Sequence, residues 1–177
     1  MVCSRVKTKA RCWLSFNFVA TTARERAMKR TAQCACGQVS AVVEGDPIKV
    51  FVCHCDYCQK RTGSVFGVTC YYPHERILEL NGKTRVFAES ANSIGIQYEF
   101  CPNCGTTVHW SYGPAMVKKY PALSQYRGFA VGCFADKSFP GPDIEVQRQY
   151  AHSWVPDLPV EITFDDFGDQ KTTVGDS

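Results

Sequence analysis

From residue 31 onward, apolar residues fall in short runs punctuated by glycine, proline and asparagine, and no long stretch repeats at the 3.6-residue helical period. Gln38 to Glu44 alternates in part and ends at the turn Gly45-Asp46-Pro47; Ile48 to Val52 is a second short run that delivers Cys53. Ser64 to Tyr72 is rich in β-branched and aromatic residues and is closed by Pro73. Ile77 to Leu80 and Thr84 to Ala88 flank Asn81-Gly82, a pair that predicts a β-hairpin. Ser93 to Phe100 runs into Cys101, Thr106 to Trp110 leaves Cys104-Gly105, and Gly128 to Phe134 and Ile144 to Tyr150 complete the strand-like runs. Residues 111–126 read as a loop or short helix, a candidate lid, and Pro114, Pro121, Pro140 and Pro142 favour loops. The pattern predicts a mainly β protein in one domain, residues 30–168, behind a leader of residues 1–29 and ahead of a polar tail of residues 169–177.

Composition sharpens this picture in one respect. Of the 177 residues 45% are hydrophobic and 21% charged, as in an ordinary globular chain, but 11 are cysteine. Closely spaced cysteines bridge each other poorly and point to a shared metal, so the thiols read as reduced and the location as cytoplasmic. No apolar run approaches the ~18–20 residues of a membrane-spanning helix. The net charge of +3 comes from the leader: residues 1–30 hold eight Lys or Arg and one acid, which leaves 12 basic and 16 acidic side chains in the remainder. A net acidic domain without a basic stripe argues against nucleic acid as a partner. The leader itself reads best as an extension ahead of a start at Met28, with an organelle transit peptide or a secretory signal as the other readings.

The cysteines fall into two sets. Cys101-Pro-Asn-Cys104-Gly is a zinc-knuckle turn, and Cys34-Ala-Cys36-Gly looks like its other half; together they make a closed four-thiolate site suited to a structural zinc. The competing reading, a redox-active C-x-x-C, needs a helix after the motif, whereas Thr106 to Trp110 reads as a strand. Cys53, Cys55 and Cys58, spaced C-x-C-x-x-C, supply three thiolates and leave one tetrahedral position for water, a thiol or a carbonyl oxygen, as in a catalytic zinc site. A histidine completing a structural site and an iron–sulfur cluster are the alternatives; His54 lies between two ligands and is expected to point elsewhere. Cys70 and Cys133 read as buried fillers.

The segments Cys34-Ala-Cys36-Gly-Gln-Val, Cys53-His-Cys55-Asp-Tyr-Cys58-Gln-Lys-Arg-Thr-Gly-Ser and Phe100-Cys101-Pro-Asn-Cys104-Gly-Thr resemble the glutathione-dependent formaldehyde-activating enzyme family, whose domain is shared with the centromere-protein-V group. The resemblance covers residues 31 to about 160, with Pro140 to Pro156, including His152 and Trp154, as its closing segment. It implies a zinc-containing β-tent of two antiparallel sheets and two zinc ions per chain. Cys34, Cys36, Cys101 and Cys104 would hold the structural ion, and Cys53, Cys55 and Cys58 the catalytic one. The implied activity is that of a carbon–sulfur lyase, the reversible joining of glutathione with formaldehyde, so the implied partners are a small thiol and an aldehyde. Lys60 and Arg61 are candidates for the carboxylates of glutathione, Thr62-Gly63-Ser64 for the pocket floor, and Tyr71, Tyr72 and His109 for proton transfer. The other class to weigh is a non-enzymatic zinc-binding interaction module related to centromere protein V.

Overall fold

A computed structural model describes residues 28–88 and 95–165. The leader, apart from its last two residues, and the polar tail lie outside these. Three strands, β1 (Lys29–Gln33), β2 (Ser40–Glu44) and β5 (Ile77–Asn81), make a small antiparallel sheet in the order β1-β2-β5. The larger sheet has eight strands. They are β3 (Lys49–Cys53), β4 (Gly67–Pro73), β6 (Arg85–Ala88), β7 (Ile96–Phe100), β8 (Thr107–Tyr112), β9 (Tyr126–Ala130), β10 (Ile144–Val146) and β11 (Ile162–Phe164). Their order across the sheet is β11-β10-β3-β4-β9-β8-β7-β6. Among the described residues the α-helices are short, α1 (Asp56–Thr62) between β3 and β4 and α2 (Pro114–Lys119) after β8. The protein is a mainly β single domain of two sheets.

The sheets are antiparallel except at one edge, where β10 runs parallel to both β3 and β11. Parallel neighbours cannot be joined by a tight hairpin and need long connections. Here residues 147–161 separate β10 from β11, and most of the domain separates β3 from β10.

Strict alternation decides where the core forms. In β2 and β3 every second residue is buried, and Ala32, Ala41 and Val43 of the small sheet meet Val50, Cys70, Tyr72 and Phe129 of the large one, with Phe134. Arg30, which the sequence groups with the basic leader, is 5% exposed in β1. It pairs with Asp46 at 2.7 Å and with Asp136, and lies 5.1 Å from the centre of the Phe139 ring.

The Asn81-Gly82 hairpin does not form. β5 pairs with β2 in the small sheet and β6 with β7 in the large one, so the turn carries the chain from one sheet to the other. Gly82 has φ +90°, and a Cβ there would sit 2.0 Å from the carbonyl oxygen of Gln38. Its glycine is required by close approach to the β1–β2 loop and by its left-handed backbone, and this local requirement is the same one that a hairpin turn presents.

Candidate metal centres

Two hairpin loops build the first centre. In the β1–β2 loop the N–H of Cys34 donates to the carbonyl of Val39 and that of Gly37 to Cys34; in the β7–β8 loop Cys101 donates to Thr106 and Gly105 to Cys101, all at 2.9 Å. Gly37 and Gly105 take positive φ of 81° and 74°, which lets each loop fold back over its cysteines. The Sγ atoms of Cys34, Cys36, Cys101 and Cys104 lie within 4.8 Å of one another, with Cys34–Cys36 and Cys36–Cys101 both at 3.6 Å. Four sulfurs at ~2.3 Å from a common ion are separated by ~3.8 Å, so the group fits a tetrahedral thiolate-loving ion such as zinc. Thr106 stitches the loops together: its hydroxyl accepts from the N–H of Ala35 at 3.2 Å and lies 3.3 Å from Cys104 Sγ. Hydrogen bonding from the Thr106 hydroxyl, then from its backbone N–H, lowers the Cys104 thiol to about 5.

The second centre forms where β3 ends and α1 begins. Cys53 closes β3, Cys55 is the N-cap of α1, and Cys58 lies in its first turn, its N–H donating to Cys55 Sγ at 3.4 Å. The three sulfurs lie within 4.8 Å of one another, with Cys53 and Cys55 at 3.4 Å, and no fourth His, Cys, Asp or Glu among the described residues joins the group. Hydrogen bonds from Cys53 and then Cys58 lower the Cys55 thiol to about 2, while the same contacts push the Cys53 thiol far up. One negative charge can thus be shared by the three sulfurs, but three thiolates this close need a cation between them. The donor set is that of a soft ion.

The strand registers assign the surroundings of each centre. Phe51 and Cys53 of β3 stand on one face of the large sheet with Tyr71 of β4, Gly128 of β9, Trp110 and Tyr112 of β8 and Tyr98 of β7. Ring contacts run through this set: Phe51–Tyr71 at 5.6 Å, Tyr71–Tyr112 at 6.3 Å and Tyr98–Trp110 at 5.6 Å between centroids. α1 lies across this face, with Tyr57 6.0 Å from Tyr98 and the Arg61 guanidinium 4.9 Å from the Tyr98 ring centre and 5.2 Å from that of Trp110. Gly67, opposite Cys53, makes room for the helix, since a Cβ there would meet Cys58, Arg61 and Thr62 at 3.4 Å. Burial raises the Tyr71 hydroxyl above its ordinary value, so it keeps its proton at neutral pH.

The opposite face holds the core and the support for the triplet. His54 is fully buried, and its Nε2 lies 2.8 Å from Oε1 of the buried Glu145 on β10, so it points away from the three sulfurs as its place between two cysteines predicts. The Gln59 side-chain amide donates to the carbonyls of His54 at 2.6 Å and Tyr150 at 3.2 Å, and its oxygen lies 3.1 Å from His152 Nε2, tying α1 to the segment after β10.

Three other sequence candidates, Tyr72, His109 and Lys60, fall outside the triplet's surroundings. Tyr72 and His109 stand on the core face, where the Tyr72 hydroxyl donates to the carbonyl of Gly45 at 3.1 Å and His109 packs with Glu99 and Arg127. Lys60 is exposed and reaches Asp56 of its own helix at 3.7 Å. Thr62-Gly63-Ser64 closes α1 beside the triplet: Thr62 Oγ1 donates back to the carbonyl of Cys58 at 2.8 Å, and Gly63 takes the left-handed C-cap position. The structure adds Tyr98, Trp110 and Glu145 to the surroundings of the triplet. No local signal marks them, because all three reach the site through strand pairing.

Fold and site together define a mainly β protein in which two separate cysteine groups are each able to hold a metal ion. A family model described as glutathione-dependent formaldehyde-activating enzyme matches residues 29–150, and the chain belongs to that family. Among solved structures, a crystal structure of a Rhodobacter sphaeroides protein, a structural genomics target, is similar at 15% identity. The likeness covers 62% of this chain and 90% of that one, with a TM-score of 0.44. No curated protein matches the chain. Among the described residues no helix is long and apolar enough to cross a membrane.

Proposed function

We propose that Cys53, Cys55 and Cys58 hold a catalytic zinc ion. On this reading the protein is a carbon–sulfur lyase that reversibly joins glutathione, or another small thiol, with formaldehyde or a related small aldehyde. Cys34, Cys36, Cys101 and Cys104 hold a second, structural zinc that pins the β1–β2 loop to the β7–β8 loop. The family supplies the glutathione and formaldehyde chemistry at its own level. The observation that carries the assignment of roles is the contrast in donor number: four sulfurs in one group, and in the other three sulfurs facing a wall of aromatic rings.

A zinc ion held by three thiolates supplies a Lewis-acidic position that lowers a thiol's pKa or polarises a carbonyl oxygen. In the joining reaction the sulfur lone pair forms the C–S bond, and the carbonyl π pair becomes an oxyanion that takes the proton the thiol gave up, with no oxidant or reductant required. Phe51, Tyr71, Tyr112, Trp110 and Tyr98 give this site a flat apolar wall that strengthens electrostatic interactions by limiting water. Tyr71, still protonated, can donate a hydrogen bond to the developing oxyanion. On the other face, His54, Glu145 and Gln59 fix the backbone that aims Cys53 and Cys55.

Paired substitutions test the division of labour. Cys58→Ser in the full chain is expected to keep a cooperative melt, drop from two zinc ions to one, and lose thiol–aldehyde turnover. Cys101→Ser is expected to lose the cooperative fold, because ~10–16 kcal/mol of structural zinc binding rivals the whole stability of a domain. Turnover surviving in Cys58→Ser would defeat the assignment.

A further inference from the structure

We infer that Arg61 is an anion anchor of the triplet site and that it selects thiols carrying a carboxylate a few bonds from sulfur. The inference rests on the reading of the triplet as a thiol-binding site. Arg61 follows Cys58 by three residues on α1, so the two side chains share a helix face. A Cβ placed on Gly67 would lie 3.4 Å both from Arg61 Nη2 and from Cys58 Cβ, so no more than twice that distance separates the guanidinium from the ligand cysteine. The guanidinium is held in place by the Tyr98 and Trp110 rings.

The described residues offer Arg61 no counter-ion. Among the described residues no carboxylate pairs with it, whereas Arg30, Arg127 and Arg148 each reach one at 2.6–2.8 Å. Its Nε is buried without a partner. The Nη edge faces the surroundings of Cys58. A planar fork fixed against aromatic rings, with no acid of its own among the described residues, is built to receive a carboxylate bidentately. The neighbouring Lys60 is turned to solvent and spoken for by Asp56, which leaves Arg61 as the cation on this face of the helix.

The test is a thiol titration of the full chain loaded with cobalt(II), followed by the visible absorption of the metal, with 3-mercaptopropionate and 2-mercaptoethanol as probes. The parent is expected to bind 3-mercaptopropionate about tenfold or more tightly over 2-mercaptoethanol, the size of one charge-assisted contact. Arg61→Gln should bring the two within about twofold while leaving 2-mercaptoethanol affinity unchanged, and Arg61→Lys should retain part of the preference. A preference that survives Arg61→Gln would assign it to the metal alone and overturn the inference. So would an equal loss for both thiols, the mark of a packing role, or equal binding in the parent. If neither thiol perturbs the spectrum, the thiol-site reading itself fails, and the inference fails with it.

Discussion

Gly128→Ala should damage this protein more than any change of one methyl group ordinarily does. A Cβ at residue 128 would lie 2.1 Å from Trp110 Nε1, 2.3 Å from Cε2 and 2.8 Å from Cδ1. Gly128 does not take a positive φ, so the alanine carries no backbone strain and the effect is steric. Neither side has room to give. β9 is paired on both flanks, with β4 through Tyr71 and with β8 through Trp110, so the backbone is fixed by two ladders. Trp110 is 1% exposed, and its indole is backed by Tyr98 and by the Arg61 guanidinium.

To regain ordinary contact the indole must retreat by more than 1 Å, and rigid rings transmit that shift to their neighbours. Overpacking of this kind costs about 1–3 kcal/mol, and the absence of a flexible partner puts this site at about 3 kcal/mol. Urea unfolding of the zinc-replete protein should show a lower midpoint with an unchanged slope. Trp110→Phe should relieve the clash, so that the double variant is more stable than the sum of the two single changes predicts by about 1–2 kcal/mol. A Gly128→Ala midpoint within about 0.5 kcal/mol of the parent, or strict additivity in the cycle, would refute the packing argument. The same displacement should also erode any preference for carboxylated thiols, because Arg61 rests on the ring that moves.

Glu145→Ala leaves His54 fully buried with neither ring nitrogen paired, since Nδ1 has no partner to begin with. In the metal-loaded protein a chelator should then strip the ion proposed for the triplet several-fold faster than from the parent, whereas Glu145→Gln, which keeps an acceptor, should stay close to it; identical rates in both variants would remove the positioning role. On the core face His109, and beyond it Arg127, hold the Glu99 carboxyl at about 2 against an ordinary 4.5, despite the opposing effect of burial. A depressed carboxylate stabilises the fold above its unfolded value and loses that contribution as pH falls through its folded value. The stability difference between the parent and Glu99→Gln should therefore be full above about pH 4.5 and shrink toward pH 2, and a difference that grows on acidification would contradict the ion cluster.

Both cysteine groups were legible because their members are near neighbours in the chain. The spacings C-x-C, C-x-x-C and C-x-C-x-x-C place sulfurs together through a single turn or strand end, and the glycines at 37 and 105 mark the turns that do it. The same local logic sent His54 away from its flanking cysteines, since adjacent residues at a strand end face opposite ways. It failed at Asn81-Gly82, where a glycine demanded by a close crossing looks like a glycine demanded by a hairpin. It was also silent on Glu145, which meets His54 from 91 residues away.

The choice among Tyr71, Tyr72 and His109 shows where local reading ends. Parity along one strand is visible in the sequence, but parity between strands is set only by register. Cys53 faces with Phe51 by period alone. That Tyr71 joins them, and not Tyr72, follows from Lys49 standing opposite Tyr71 and Phe51 opposite Thr69. That Trp110 joins them, and not His109, follows from Gly128 standing between Tyr71 and Trp110 in the β4–β9–β8 ladder. A slip of one residue in either pairing would turn Tyr72 or His109 toward the three sulfurs and bury Tyr71 or Trp110 in the core. Gly128 is the residue that resists such a slip at the second step. Only at its position can the indole lie against the sheet, so replacing Trp110 by a neighbour in the register would set a ring over Phe129 or Arg127 instead. The aromatic face beside the triplet is thus specified by a glycine, and its chemistry follows from register more than from any motif.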